Sequence, residues 1–305
     1  MKKYELLKDD TVTLPSGKVL YRIRSLVELD PFLLPGDLGG YIESTKNLDQ
    51  NGVAWVHDNA RVYDNAIVRG NAHIFENAEV YGNAKVYGNA LVRGNAKVYG
   101  NAWICGRANV FDNARVYDRA EVYGDAFVRD DAQIYGYANV RGNAKVTGNA
   151  VLYGNIIVDG NVCVGNDAMV KSRNDIQWFS NVGSECGTLT AYRTVKGVSV
   201  TRGCFSGTLD EFKTAVIEKH GTNIYGRHYQ MLIDAIELWF FEEESTTPAQ
   251  PADSQAFDLE RRRSQTQSGA VRSEGLSSFR QSRLQGRDGL YLRPSINGQL
   301  RRAKA

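Results

Sequence analysis

Few residues in this chain of 305 have the type and spacing that chemistry at neutral pH needs. Four histidines, His57, His73, His220 and His228, are the candidates for general acid–base work, since imidazole titrates closest to neutrality. His220 falls at the end of an expected helix, where partial positive charge is favoured for structural reasons alone. Cys105, Cys163, Cys186 and Cys204 form no C-x-x-C pair, so neither a zinc site nor a disulfide framework is indicated. The run G-D-L-G-G at Gly36 to Gly40 lacks the lysine and the following helix of a phosphate loop. The residue in the strongest pattern is tyrosine. Tyr63, Tyr81, Tyr99, Tyr117, Tyr135 and Tyr153 recur at every eighteenth position.

The element that must position these residues is a six-residue phrase repeated without a break from Val53 to Val170. Its purest form, G-N-A-K-V-Y, occurs at Gly82 to Tyr87 and again at Gly94 to Tyr99. Stepping by six from Ala54 to Ala168 meets Ala everywhere except Ile156 and Val162, and Val, Ile or Leu always stands two residues later. Such a period defines a solenoid. Ala84, Lys85, Val86 and Tyr87 alternate as a short strand, with Ala84 and Val86 facing inward and Lys85 and Tyr87 outward. Gly88-Asn89 supplies the corner, because these residues tolerate left-handed backbone. Three hexads close a triangular turn of eighteen residues, and turns stack about 4.8 Å apart.

Sorting outward positions by face shows what the spacing means. The six tyrosines form one unbroken column, flanked on the same strands by Arg61, Glu79, Lys97, Arg115, Gln133 and Val151. A second face reads His57, Phe75, Arg93, Phe111, Arg129 and Thr147; the third reads Arg69, Tyr87, Cys105, Tyr123, Arg141 and Asp159. His57 and His73 share the second face on adjacent coils, two residues out of line and roughly 8 Å apart by strand geometry. The tyrosine column, with Arg61, Lys97 and Arg115, is the leading binding face, an amphipathic platform about 25 Å long for a second copy, another protein or a sugar polymer. Phe75, Arg93, Phe111 and Arg129 form a secondary face. Stacking that stabilises parallel sheets, or simple duplication of the repeat, would produce the same tyrosine column.

The flanks read as caps. Residues 1–52 are β-rich, with a strand over Val19 to Ile23 and turns at Pro31, Pro35 and Gly39-Gly40. Residues 171–244 predict strands at Ile176 to Phe179 and Leu189 to Val200. A capping box at Thr208 to Glu211 opens a helix ending near Gly221, and a second helix runs from about Tyr225 to Phe241. Its apolar face carries Tyr229, Leu232, Ile233, Ile236 and Trp239 or Phe240. Residues 245–305 hold eleven Lys plus Arg against five Asp plus Glu, a balance of +6 in a chain of net charge +2. That segment reads as a disordered basic tail, and nucleic acid is expected to touch the chain only there. No signal or membrane segment is recognised, so a cytoplasmic protein is expected.

The hexads, together with G-D-L-G-G-Y-I-E-S at Gly36 to Ser44 and N-G-V-A-W-V-H-D-N-A at Asn51 to Ala60, resemble the YdcK-type hexapeptide-repeat family, as does T-R-G-C-F-S-G-T-L-D-E-F at Thr201 to Phe212. The resemblance implies an all-β left-handed parallel β-helix of six to seven coils, frequent phage or prophage origin, and frequent trimers. It also implies acyl transfer from acetyl-CoA, with a histidine as general base and a loop extruded from the coils. Here the coil runs through without an insertion, which departs from the enzyme pattern and favours a non-catalytic binding module that needs no cofactor. A nucleotide or nucleic-acid decoy is the further alternative.

Overall fold

The computed structural model describes residues 2–29 and 33–241. The basic tail and Pro31 lie outside them. Each hexad forms one short strand and one corner. Strands β4 (Trp55–Val56) to β23 (Met169–Val170) have two residues each and fall on three faces in strict rotation. Residues eighteen apart are parallel partners: Lys97 lies between Glu79 and Arg115, and Val98 between Val80 and Val116. The product is a three-sided parallel β-solenoid. Its strands are shorter than the four residues that alternate, because the corner bends the chain directly after the inward valine. A hexad in the middle of the coil still sends three amides to the next coil, as in Lys85 N to Ala102 O at 2.9 Å, Tyr87 N to Ile104 O at 3.0 Å and Asn89 N to Gly106 O at 2.7 Å.

The inward alanines and valines of the hexads are fully buried and make one continuous core. Alanine fills the narrow space where the chain folds over its own corner, and there Ala84 N reaches back to Tyr81 O at 3.4 Å; only Ile156 and Val162, near the end of the coil, put a larger side chain at this position. The first corner residue is left-handed throughout, as at Gly88 (φ 73°) and Asp64 (φ 57°). Aspartate bears the strain of that conformation by accepting an amide from the same corner one coil on: Gly82 N donates to Asp64 Oδ2 at 3.0 Å, and Gly148 N to Asp130 Oδ2 at 2.9 Å. The second corner residue builds amide ladders. Asn77 donates to Asn95 at 3.5 Å, Asn95 to Asn113 at 3.2 Å, and Asn113 to Asp131 at 3.1 Å.

The N-terminal cap is an antiparallel hairpin, β1 (Tyr4–Thr13) and β2 (Val19–Ser25), followed by β3 (Leu38–Ile42). Strand β3 is already part of the coil, since Tyr41 and Ile42 pair in parallel with Arg61 and Val62. The coil therefore starts before Val53, where the sequence period begins. Its first turn is longer than eighteen residues, and Asn47 Nδ2 fills the mismatch by donating to Asp64 O at 3.0 Å and Ala66 O at 2.9 Å. Lys3 closes the open end: its Nζ donates to Ala54 O at 2.9 Å, and burial pushes its pKa down to about 8.

The C-terminal part is a four-stranded antiparallel sheet, β24 (Ile176–Val182), β25 (Gly187–Thr194), β26 (Gly197–Arg202) and β27 (Phe205–Thr208), packed on α1 (Leu209–His220) and α2 (Ile224–Phe241). The single strand expected over Leu189 to Val200 is two, because Gly197 at φ 130° turns the chain. The capping box forms as expected, with Glu211 N on Thr208 Oγ1 at 3.2 Å and Thr208 N on Glu211 Oε2 at 2.7 Å. This part has its own core of Val200, Phe212, Ile233, Ile236 and Phe240 among others. It joins the coil through Tyr192 and Ile176, which enter the solenoid core, and through Thr201, whose hydroxyl donates to Cys163 O at 2.6 Å. Among the described residues no helix is long and apolar enough to cross a membrane.

Candidate binding faces of the coil

The tyrosine column is stacked ring on ring. Centroids from Tyr63 to Tyr153 are 5.0, 4.9, 4.8, 4.8 and 5.1 Å apart, and successive rings are within 9° of parallel. That spacing is the coil pitch, so the backbone imposes the stack and the rings accept it. Each half-buried tyrosine therefore covers the faces of its neighbours and presents its edge and hydroxyl outward. At the N-terminal end Tyr63 packs against Leu14, Leu20 and Tyr41 of the cap. Burial pushes the Tyr117 phenol pKa up to about 12, and the flanking Tyr99 and Tyr135 add to the shift. Tyr63, Tyr81, Tyr99 and Tyr135 shift the same way, burial again leading.

The flanking charges are partly spent on one another. Glu79 Oε1 meets Arg61 Nη1 at 3.6 Å, and its Oε2 meets Lys97 Nζ at 3.5 Å and the Tyr63 hydroxyl at 3.4 Å. Arg115 makes no ion pair among the described residues and is exposed. The leading face is thus a row of hydroxyls and ring edges with an exposed cation at its centre. Sugars and nucleobases stack on open ring faces, which this column does not offer along its length.

The secondary face behaves similarly. The Arg93 guanidinium lies 4.7 Å over the Phe111 ring, and Arg129 Nε lies 3.7 Å from Asp130. Phe75 stacks on His57 at 4.1 Å. His57 Nε2 and His73 Nδ1 are 2.9 Å apart, much closer than the roughly 8 Å expected from strand geometry. The expectation measured strand positions, whereas the two imidazoles lean toward each other across the coil step. His220 stands elsewhere, stacked on Tyr229 at 5.4 Å at the end of α1, and His228 is exposed on α2. On the third face Arg141 is held by Asp159 at 2.8 Å and by the Tyr123 hydroxyl at 3.1 Å.

The four cysteines are free, and no cluster of three or more His, Cys, Asp or Glu fit to hold a metal occurs among the described residues. Sequence reasoning missed the corner ladders, although asparagine at fixed positions every eighteen residues was there to signal them. It also missed a groove at the C-terminal end of the coil lined by Trp178 and Trp239. No protein-family model matches the chain, and no curated protein matches it.

Proposed function

We propose that this chain is a non-catalytic binding and assembly module of the YdcK-type, phage- or prophage-encoded kind, acting in the cytoplasm of a bacterial host and docking protein through its tyrosine face. The observation that carries the reading is the period of the column. Six hydroxyl-bearing edges repeat at 4.8 to 5.1 Å, and a partner that meets every rung must share that period. A β-strand laid along the axis repeats about every 6.6 Å on one face and falls out of step within two rungs. A second copy of the coil keeps step at each one, so self-association is the first expectation, a trimer being the form common in hexapeptide proteins. The test is the solution mass of the full chain beside Tyr81→Ser/Tyr99→Ser/Tyr117→Ser. A multiple of 33.9 kDa that collapses to a single copy in the variant supports the reading. An unchanged oligomer sinks it, and a monomeric parent moves the search to a host protein.

Acyl transfer is a second reading with one observation in its favour. An imidazole held by another at 2.9 Å is the arrangement an oriented general base uses. Turnover of acetyl-CoA that is lost in His57→Ala would establish it. For a nucleic-acid decoy the arginines are poorly placed, because Arg61, Arg107 and Arg141 already face Glu79, Asp125 and Asp159.

A further inference from the structure

The chain has four tryptophans, and they fall into two kinds. Trp55 is fully buried beneath Tyr4. Trp103 is on the third face, with Lys85 Nζ over its ring at 4.9 Å and the edge of Tyr87 against it at 6.2 Å. Trp178 and Trp239 have neither an aromatic nor a cationic partner among the described residues, are 36% and 48% exposed, and line one groove of about 630 Å³ where the coil meets the C-terminal cap. That volume lies within the roughly 300–1,000 Å³ of ligand clefts. Trp239 is not loosely exposed, for its indole N–H donates to Asn174 O at 3.1 Å and holds the ring in place.

Around the two indoles stand Asn174, Gln177, Arg173, Arg141 and Asp159. The set mixes donors and acceptors. Arg141 and Asp159 are already clamped together at 2.8 Å, and Arg173 makes no ion pair among the described residues. A phosphate-rich ligand would meet the Asp159 carboxylate with a single uncommitted cation to offset it. A pyranose with equatorial hydroxyls suits the groove better. Its apolar C–H face lies on an indole, while its in-plane hydroxyls donate to Asp159 and exchange hydrogen bonds with the amides and the guanidinium.

We infer that this groove is a binding site for an oligosaccharide of gluco-configured pyranoses, whose hydroxyls are equatorial. Trp178 and Trp239 are the platforms, and Asn174, Gln177 and Asp159 are the hydroxyl partners. The site is independent of the tyrosine face and of anything that docks there.

The test is titration of the full chain with chitotetraose, followed by tryptophan emission and by calorimetry. The expected result is a saturable emission change whose affinity falls about tenfold or more in Trp178→Ala and in Trp239→Ala, as for truncation of a central aromatic anchor. Trp103→Ala serves as control and keeps wild-type affinity. Trp178→Ala is the safer variant, because Trp239 also ties α2 to the turn at Asn174; far-UV circular dichroism checks both. No saturation in the full chain overturns the site, and so does equal affinity in all three variants. Chitotetraose binding should persist in Tyr81→Ser/Tyr99→Ser/Tyr117→Ser, so either proposal can fail without the other.

Discussion

The coil and the C-terminal cap solve the same problem of covering apolar surface in opposite ways. In the coil many outward groups find a partner one turn away: ring on ring from Tyr63 to Tyr153, amide on amide from Asn77 to Asn113, guanidinium on carboxylate at Arg107 and Asp125. The cap has no neighbour of the same sequence to stack on. Its helices leave Ile217, Ile224, Met231, Leu238 and Phe241 more than half exposed, and Trp239 nearly half. Periodicity spends surface on internal contacts, whereas an aperiodic fold leaves surface available. The difference explains why the face most conspicuous in sequence offers only edges, and why the open indole faces are found where the repeat has stopped.

The largest effect that would probe this contrast is a charge placed in either core. Val98→Asp puts an unpaired carboxylate at the centre of the coil, at a cost of several kcal/mol against a domain stability of roughly 5–15 kcal/mol. Loss of the cooperative melt and of the β signal is expected, and a normal melting curve would be incompatible with the fold. Ile233→Asp strikes the separate core of the cap. Helical signal should disappear while the coil's β signal persists; loss of both would show that the two cores stand or fall together.

A smaller effect is expected from Gly94→Ala. The added Cβ would lie 2.8 Å from the Asp112 amide, at a corner of φ 72° that alanine disfavours, for a cost of about 1–3 kcal/mol. Thermal denaturation reads it, and an unchanged Tm would mean the corners are not rigid. Alkali should act next. The phenols of Tyr63, Tyr81, Tyr99, Tyr117 and Tyr135 have pKa values raised by burial, so the native state keeps protons that the unfolded chain gives up near pH 10. The contribution is complete below pH 10 and is lost as pH rises toward about 12 at Tyr117. Absorbance at 295 nm should show phenolate forming late in the parent and earlier, per remaining tyrosine, in the triple serine variant. The smallest change is Asn95→Ala, which interrupts one exposed ladder for about 0.5–1.5 kcal/mol per bond. It should lower Tm by a few degrees and leave partner binding alone.

How much could be read from the chain follows the same division. The coil was legible because a rigid period of six leaves one way to place Ala84 inside and Tyr87 outside. Contacts that cross the period were not. The His57–His73 approach depends on side-chain lean, and the early start of the coil at Tyr41 was hidden by a first turn that breaks the spacing. In the cap, the helical spacing admitted Trp239 or Phe240 as the core residue. The buried phase of Tyr229, Ile233 and Ile236 selects Phe240, 4% exposed, and turns Trp239 outward into the groove. Pairings among strands that follow no repeat are not written in local pattern at all.

The three-sided turn also restricts how this chain can change in length. Gly82 to Tyr87 and Gly94 to Tyr99 are identical in sequence but twelve residues apart, so they belong to different faces. Recombination between them would delete two sides of a triangle, and everything downstream would turn onto another face, so that Tyr99 keeps Tyr117 but is parted from Tyr81 and the column is cut in two. Only insertions or losses of eighteen residues carry the register through unbroken. The molecule can be lengthened or shortened only in whole coils, each adding or removing one tyrosine and about 4.8 Å of reach.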